Sequence, residues 1–354
     1  MKQRLVYFIA GAITASTMFG GNPERVGQAG AGQLLINPYS RNVGMAGANS
    51  ARVSGLEAQF LNIAGTAFTR KTELMFHRTN WFGGTGINLN AFGVTQGVGE
   101  TGTLGFGVVT LNSGNIETTT EEQPDGGLGS YQVSMMNINL SYAKKFSDAI
   151  YGGLNVKIIN EQLPNLKARG IALDAGIQYH TGKYENIHFG IALRNWGPKM
   201  FYQGDGLSRQ VTVNSISNSY ELTVNNRSGS FELPAMVNIG AAYDFFLTKD
   251  SSGVSRMHRL SLSGNYCSNS FTYDNGMFGM EYAWKEMIML RAGMVLEKGL
   301  FAESTKRTAM NGPTAGLTIE LPFGEKKSTV GLDYAYRFTN PFGGIHTFGL
   351  RVNL

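Results

Sequence analysis

Alternation of apolar with small or polar residues, repeated along most of the chain, limits its folding more than any other feature. In the last segment Phe348, Leu350, Val352 and Leu354 alternate with Gly349, Arg351 and Asn353. Just before it Val330, Leu332, Tyr334 and Tyr336 alternate with Gly331, Asp333, Ala335 and Arg337, and the link from Asn340 to Gly344 has turn chemistry. A period of two puts successive side chains on opposite faces of a strand. The same pattern predicts fourteen strands: Glu73–Trp81, Thr85–Thr95, Thr103–Leu111, Tyr131–Lys145, Ala149–Glu161, Gly170–Thr181, Asn186–Trp196, Pro234–Leu247, Arg256–Ser268, Gly276–Trp284, Met287–Glu297, Pro313–Pro322, Ser328–Phe338 and Ile345–Leu354.

With both termini taken as periplasmic, the even-numbered links, such as Phe146–Asp148 and Lys285–Glu286, hold eight residues or fewer. The long loops Asn112–Ser130, Gln162–Arg169, Gly197–Leu233 and Lys298–Gly312 all fall on odd-numbered links. Transmembrane barrels segregate turns and loops in this way. Charge follows the strand period too, at Asp174, Arg194, Glu281, Arg291, Asp333, Arg337 and Arg351. In a closed barrel their face is the lumen, because a charge turned to hydrocarbon is costly. The opposite face carries Tyr179, Tyr243, Tyr266, Tyr282 and Trp284, several of them near strand ends, where interfacial girdles form. These features predict an all-β fold, a 14-stranded antiparallel transmembrane β-barrel over residues 73–354. A soluble sandwich or propeller with the aromatic face as its core is the competing architecture. The lack of blade repeats and an export signal favour the barrel.

That signal is Lys2 and Arg4, the apolar run Leu5–Ile13 and the small residues after it, giving a signal peptide over 1–21. Residues 22–40 are polar and Gly-rich and read as a mobile lead-in. In Arg41-Asn-Val-Gly-Met-Ala-Gly-Ala48 small residues allow close backbone approach, and Leu56 to Ile63 has length for about two helical turns. Composition agrees with a turn-rich β-protein: 47 of 354 residues are Gly and only 16% are charged.

Motifs for chemistry are weak. Gly97-Val-Gly-Glu-Thr-Gly102 leads into a strand rather than a helix, so it reads as a turn. His180 and His188 flank one short turn and could pair across it; a solvated or interfacial role is favoured over a metal site, which lacks added carboxylates. The lone Cys267 reads as a small packed residue. No metal, cofactor or catalytic grouping emerges, and no basic run points to nucleic acid. In the longest loop Met200, Phe201 and Tyr202 read either as a docking element or as a lid folded over the barrel mouth. Glu121, Glu122 and Asp125 give the loop after the third strand an acidic tip, solvated or in contact with a partner.

The run Arg41–Ala48 followed by Asn62-Ile-Ala-Gly65 resembles the N-terminal signature of the PorV/PorQ family of Bacteroidetes outer-membrane proteins, with Ala46 in place of Gly and Ile63 in place of Pro. More widely the chain resembles FadL-like fourteen-stranded barrels, in which this region packs inside as a plug. The resemblance implies a plug segment within 22–72 that includes Gly44, Met45, Gly47, Asn62 and Gly65. It also implies a component of the type IX secretion system, binding the C-terminal signal domains of secreted cargo and a large translocon barrel through its outer loops. The competing function is a FadL-like channel for hydrophobic small molecules, which calls for a dry apolar pocket beside the plug. An outer-membrane enzyme is a third class, for which the chain carries no catalytic grouping.

Overall fold

The computed structural model describes residues 20–214, 219–248, 255–297, 309–310, 312–324, 328–340 and 342–354. Apart from Gly20 and Gly21, the expected signal peptide lies outside the described residues, as does most of the loop 298–312. Fourteen strands build the barrel: β1 (Thr72–Trp81), β2 (Ile87–Val98), β3 (Gly102–Asn112), β4 (Ser134–Lys145), β5 (Ile150–Leu163), β6 (Leu166–Thr181), β7 (Ile187–Trp196), β8 (Met236–Thr248), β9 (Ser255–Asn269), β10 (Asn275–Trp284), β11 (Ile288–Leu296), β12 (Thr314–Phe323), β13 (Ser328–Arg337) and β14 (Ile345–Asn353). Each pairs antiparallel with its sequence neighbours. The ladder closes where Phe76 of β1 meets Leu350 of β14, so no edge is left open.

Burial follows the alternation. On β13 Asp333 and Ala335 are buried, whereas Leu332 between Gly331 and Asp333 is 59% exposed. Ile177, Ile191, Leu154 and Leu350 are likewise exposed on the outer face. Large apolar side chains turned outward round a closed barrel make a lipid-facing surface, and about ten tilted residues rise far enough to cross the hydrocarbon. No helix among the described residues is long and apolar enough to do so.

Three expectations need correction. Gln162–Arg169 is not a loop, because β5 and β6 keep pairing up to Leu163 and Leu166 and only Pro164 and Asn165 turn the chain. Nor does the described chain start on the periplasmic side. Gly21 bridges Tyr273 in the outer β9–β10 link, and Ala29 bridges Glu232 in the longest outer loop. Residues 22–40, expected to be mobile, instead pack across the outer mouth, with Ala31 and Leu34 buried.

From the mouth the chain descends through the lumen to the periplasmic end, where β1 begins. A short helix, α1 (Ser40–Gly44), packs on β12 and β13. A second, α2 (Ala58–Leu61), is shorter than the two turns expected, because Asn62 turns extended and caps a 3-10 turn over Ile63–Phe68. Lumenal strand residues bind the backbone of this segment: Thr314 Oγ1 donates to Gly44 O, Gln178 Nε2 to Val53 O, and Asn238 Nδ2 to Leu61 O. Such partners serve a non-sheet segment whose polar backbone is out of water. Small wall residues let it approach; a Cβ at Gly293 would overlap the Met45 carbonyl group.

Candidate functional site

The lumen has three levels. At the outer mouth Ala31, Leu34, Ile159, Ala168, Ala172, Met200 and Leu233 form a buried apolar cluster, with Tyr202 and Phe231 packed on it. The isolated bridge between Met200 and Phe231 folds the longest loop inward over the barrel. Met200 is therefore a lid residue, 1% exposed, and not part of an open docking patch. Tyr202 hydroxyl donates to the Glu161 carboxylate, while Phe201 is exposed. Glu121, Glu122 and Asp125 stand exposed on the outer loop between β3 and β4.

In the middle lies a lattice of charge. Glu281 of β10 accepts Arg291 at 2.6 Å, Arg259 at 2.9 Å and Arg52 of the inner segment at 3.0 Å. Arg52 continues to Asp244 of β8, and Arg291 donates to Thr318, whose hydroxyl donates to Asp333. Charge and hydroxyl groups thus link six strands, β8 to β13, and the inner segment. Asp174 pairs with Lys157 at 2.7 Å and accepts the Asn195 N–H, which a β-bulge opposite Asp174 presents. Arg194 lies over the Phe60 ring at 4.2 Å, and Arg351 pairs with Glu320 at 2.7 Å. Arg337 faces inward, and among the described residues its Nε has no hydrogen-bond partner. All seven charges named from the alternation share the lumenal face. Lys157, Glu161, Asp244 and Arg259 belong to the same face, and their parity against Val156, Asn160, Tyr243 and Leu260 carries the same signal.

The residues named for a plug, Gly44, Met45, Gly47, Asn62 and Gly65, lie in the inner segment. Gly44 rests against Gly316, Met45 against Gly279 and Gly293, and Gly47, at φ 79°, against Met277. Asn62 donates to Ile177 O, and Gly65 leaves no room for a side chain beside Val53 O. Arg41 is salt-bridged to Glu57, and the Glu73 carboxylate accepts the Leu56 N–H at 2.6 Å.

Between the lattice and the short turns lies a cavity of about 470 Å³, walled in part by the lattice residues. Its lining includes Arg41, Arg52, Glu57, Asp244, Arg259 and Glu281, so its walls are charged and not the dry apolar surface of a hydrocarbon pocket. His180 and His188 face this chamber rather than solvent or an interface. Their rings meet edge-on at 4.4 Å, His180 stacks on Phe68, and His188 contacts Asp244 at 3.2 Å. Cys267 is buried beside Met236.

Burial pushes the Glu57 carboxyl up from its ordinary value of 4.5, against the pull of Arg41. The folded barrel then keeps this proton to a higher pH than the unfolded chain does. Glu57 accordingly favours the folded state most below pH 4.5, and that contribution is lost as pH rises through its folded value. Protease protection of residues 40–68 is expected to weaken as pH rises past the ordinary carboxylate range, and Glu57→Gln is expected to flatten that trend.

No protein-family model matches the sequence, and no curated protein matches it. Solved structures do resemble the fold. The toluene transporter TodX of Pseudomonas putida superposes with a TM-score of 0.56 at 12% identity, covering 90% of this chain and 97% of that one. A FadL homologue of Pseudomonas aeruginosa gives 0.53 at 11% identity, covering 90% and 98%. The monoaromatic hydrocarbon channel CymD gives 0.52 at 14%, covering 90% and 96%. Closure, fourteen strands, the lipid-facing surface and these superpositions together make the chain an outer-membrane β-barrel of FadL-like fold.

Proposed function

We propose that the protein is a gated outer-membrane channel for hydrophobic small molecules, with the inner segment 40–68 as its gate. The observation that carries this reading is the shared architecture: 90% of the chain superposes on a toluene transporter, and a monoaromatic hydrocarbon channel superposes as widely. The apolar cluster at the outer mouth supplies a first contact for a hydrophobic solute. Because the lattice beneath it is charged, a solute passes only when the inner segment moves aside. Deleting residues 40–68 is expected to convert a closed barrel into one with steady conductance in planar bilayers. A deletion barrel that stays closed would sink the gate.

A second reading is favoured by one observation. The stretch that resembles the PorV/PorQ signature is the stretch that fills the lumen, and the chamber beside it is lined by charge. On this reading the barrel is a non-conducting component of the type IX secretion system. Its outer loops, with Phe201, Glu121, Glu122 and Asp125, bind cargo C-terminal domains and a large translocon barrel. Pull-down from detergent-solubilised outer membrane separates the two. A monomer carrying bound fatty acid supports the channel; recovery of a very large barrel or of cargo C-terminal domains supports secretion. Neither reading calls for catalysis.

A further inference from the structure

The outward face of the barrel is divided in height on one side. Across β1 to β6 one register row runs Arg78, Asn90, Thr110, Met136, Asn160 and Arg169. These positions alternate with buried lumenal residues such as Thr79, Ala91, Ile159 and Ala168, so their side chains point away from the lumen. The next row toward the outer rim holds Asn80, Asn88, Asn112, Gln162 and Lys167. The next row toward the periplasm is wholly apolar, with Phe76, Phe92, Val108, Ile138, Ile158 and Ile171. Elsewhere large apolar side chains reach the outer strand ends, as at Leu296 and Trp196. The boundary between the rows marks where hydrocarbon gives way to headgroups on this side of the barrel.

At one end of that boundary lies a compact group. Lys167 pairs across the ladder with Gln162, and Arg169 with Asn160, so two cations and two amides share one outward patch of the β5–β6 hairpin. Both cations are exposed. Arg169 Nε donates to Asn160 Oδ1 at 3.3 Å, and among the described residues neither cation is in an ion pair. No outward position of β1 to β6 carries a carboxylate. Directly beneath, Ile158 and Ile171 are exposed. Unneutralised cations and amide donors above exposed branched apolar side chains match an amphiphile with an anionic head and saturated tails.

We propose that the outer end of the β5–β6 hairpin binds the phosphorylated headgroup of an outer-leaflet glycolipid of the lipid A type, with Lys167 and Arg169 on phosphate, Asn160 and Gln162 on sugar hydroxyls, and acyl chains along Ile158 and Ile171. The site is on the outside of the barrel and is independent of what the lumen carries.

The test is native mass spectrometry of the full barrel in detergent, titrated with bis-phosphorylated lipid A. Wild type is expected to retain lipid A in preference to phosphatidylethanolamine, with inorganic phosphate failing to compete. Removing charge in Lys167→Gln and Arg169→Gln is expected to weaken lipid A binding about fivefold for each cation. Heat-modifiable migration checks that the variants fold, and Lys167→Gln alone serves if the double variant does not assemble. Equal lipid A binding by variant and wild type would overturn the proposal, as would equal retention of phosphatidylethanolamine by wild type. A membrane protein lost from the purified barrel on the same substitutions, with lipid binding unchanged, would assign the patch to that partner instead and overturn it too.

Discussion

A barrel carrying Leu332→Arg is expected to be about 2–4 kcal/mol less stable in a bilayer than the wild type. Leu332 lies near the middle of β13, flanked across the ladder by Ile319 and Leu350, and is 59% exposed on the lipid face. A guanidinium there has no water, carboxylate or backbone carbonyl within the sheet to take its charge. The neighbouring position tolerates charge already, since Asp333 turns inward to the Thr318 hydroxyl. Urea titration of folding into phosphatidylcholine vesicles, read by heat-modifiable electrophoresis, measures the change. A variant as stable as wild type would mean that β13 presents its other face to lipid. By the same logic Leu350→Asp and Val352→Asp in the last strand are expected to block membrane assembly.

Glu281→Ala is expected to cost about 3–5 kcal/mol, because it strips the carboxylate from two buried guanidinium groups, Arg259 and Arg291, and from the partly exposed Arg52. Arg52, Arg259 and Arg291 all reach this one side chain at 3.0 Å or less. Arg259 keeps Glu286 and Arg52 keeps Asp244, whereas Arg291 is left with Thr318 and Met289. The double variant Glu281→Ala, Arg291→Leu should therefore recover part of the loss. Equilibrium unfolding of the two variants checks this, and additive losses would remove the coupling between them. The same variants bear on the inner segment, since Arg52 joins it to the wall. Protease access to residues 40–68 is expected to rise in Glu281→Ala.

Strand parity was the part of this molecule most legible in the residues. Ile171, Leu173 and Ile177 against Ala172, Asp174 and Gln178 separate lipid from lumen without any knowledge of neighbours, because a pleated strand turns each successive side chain to the other face. The hairpin tip at Pro164 and Asn165 was harder to read. Polar Gln162, Lys167 and Arg169 look like loop residues, yet they are paired strand residues at headgroup height, where polar side chains cost little. Met200 was equally opaque, since an apolar residue in a long loop has the same sequence signature whether it is open to a partner or folded under Phe231.

The inner segment shows where such reading stops. Gly44, Gly47 and Gly65 announce close packing, but residues 22–68 have no period that says against what, or from which end the chain enters. Only the closed barrel decides that Gly21 sits at the outer mouth and Phe68 at the periplasmic end, because closure and register create the cavity that the segment fills. The same holds for charge. Sequence alone determined that Asp174, Arg194, Glu281, Arg291, Asp333, Arg337 and Arg351 share one face, a local consequence of backbone geometry. Which of them pair, and that Glu281 gathers three arginines while Arg337 Nε finds no partner among the described residues, was decided by tertiary structure. Ion pairing depends on distances across strands and through the lumen, and those are set only when the first strand meets the last.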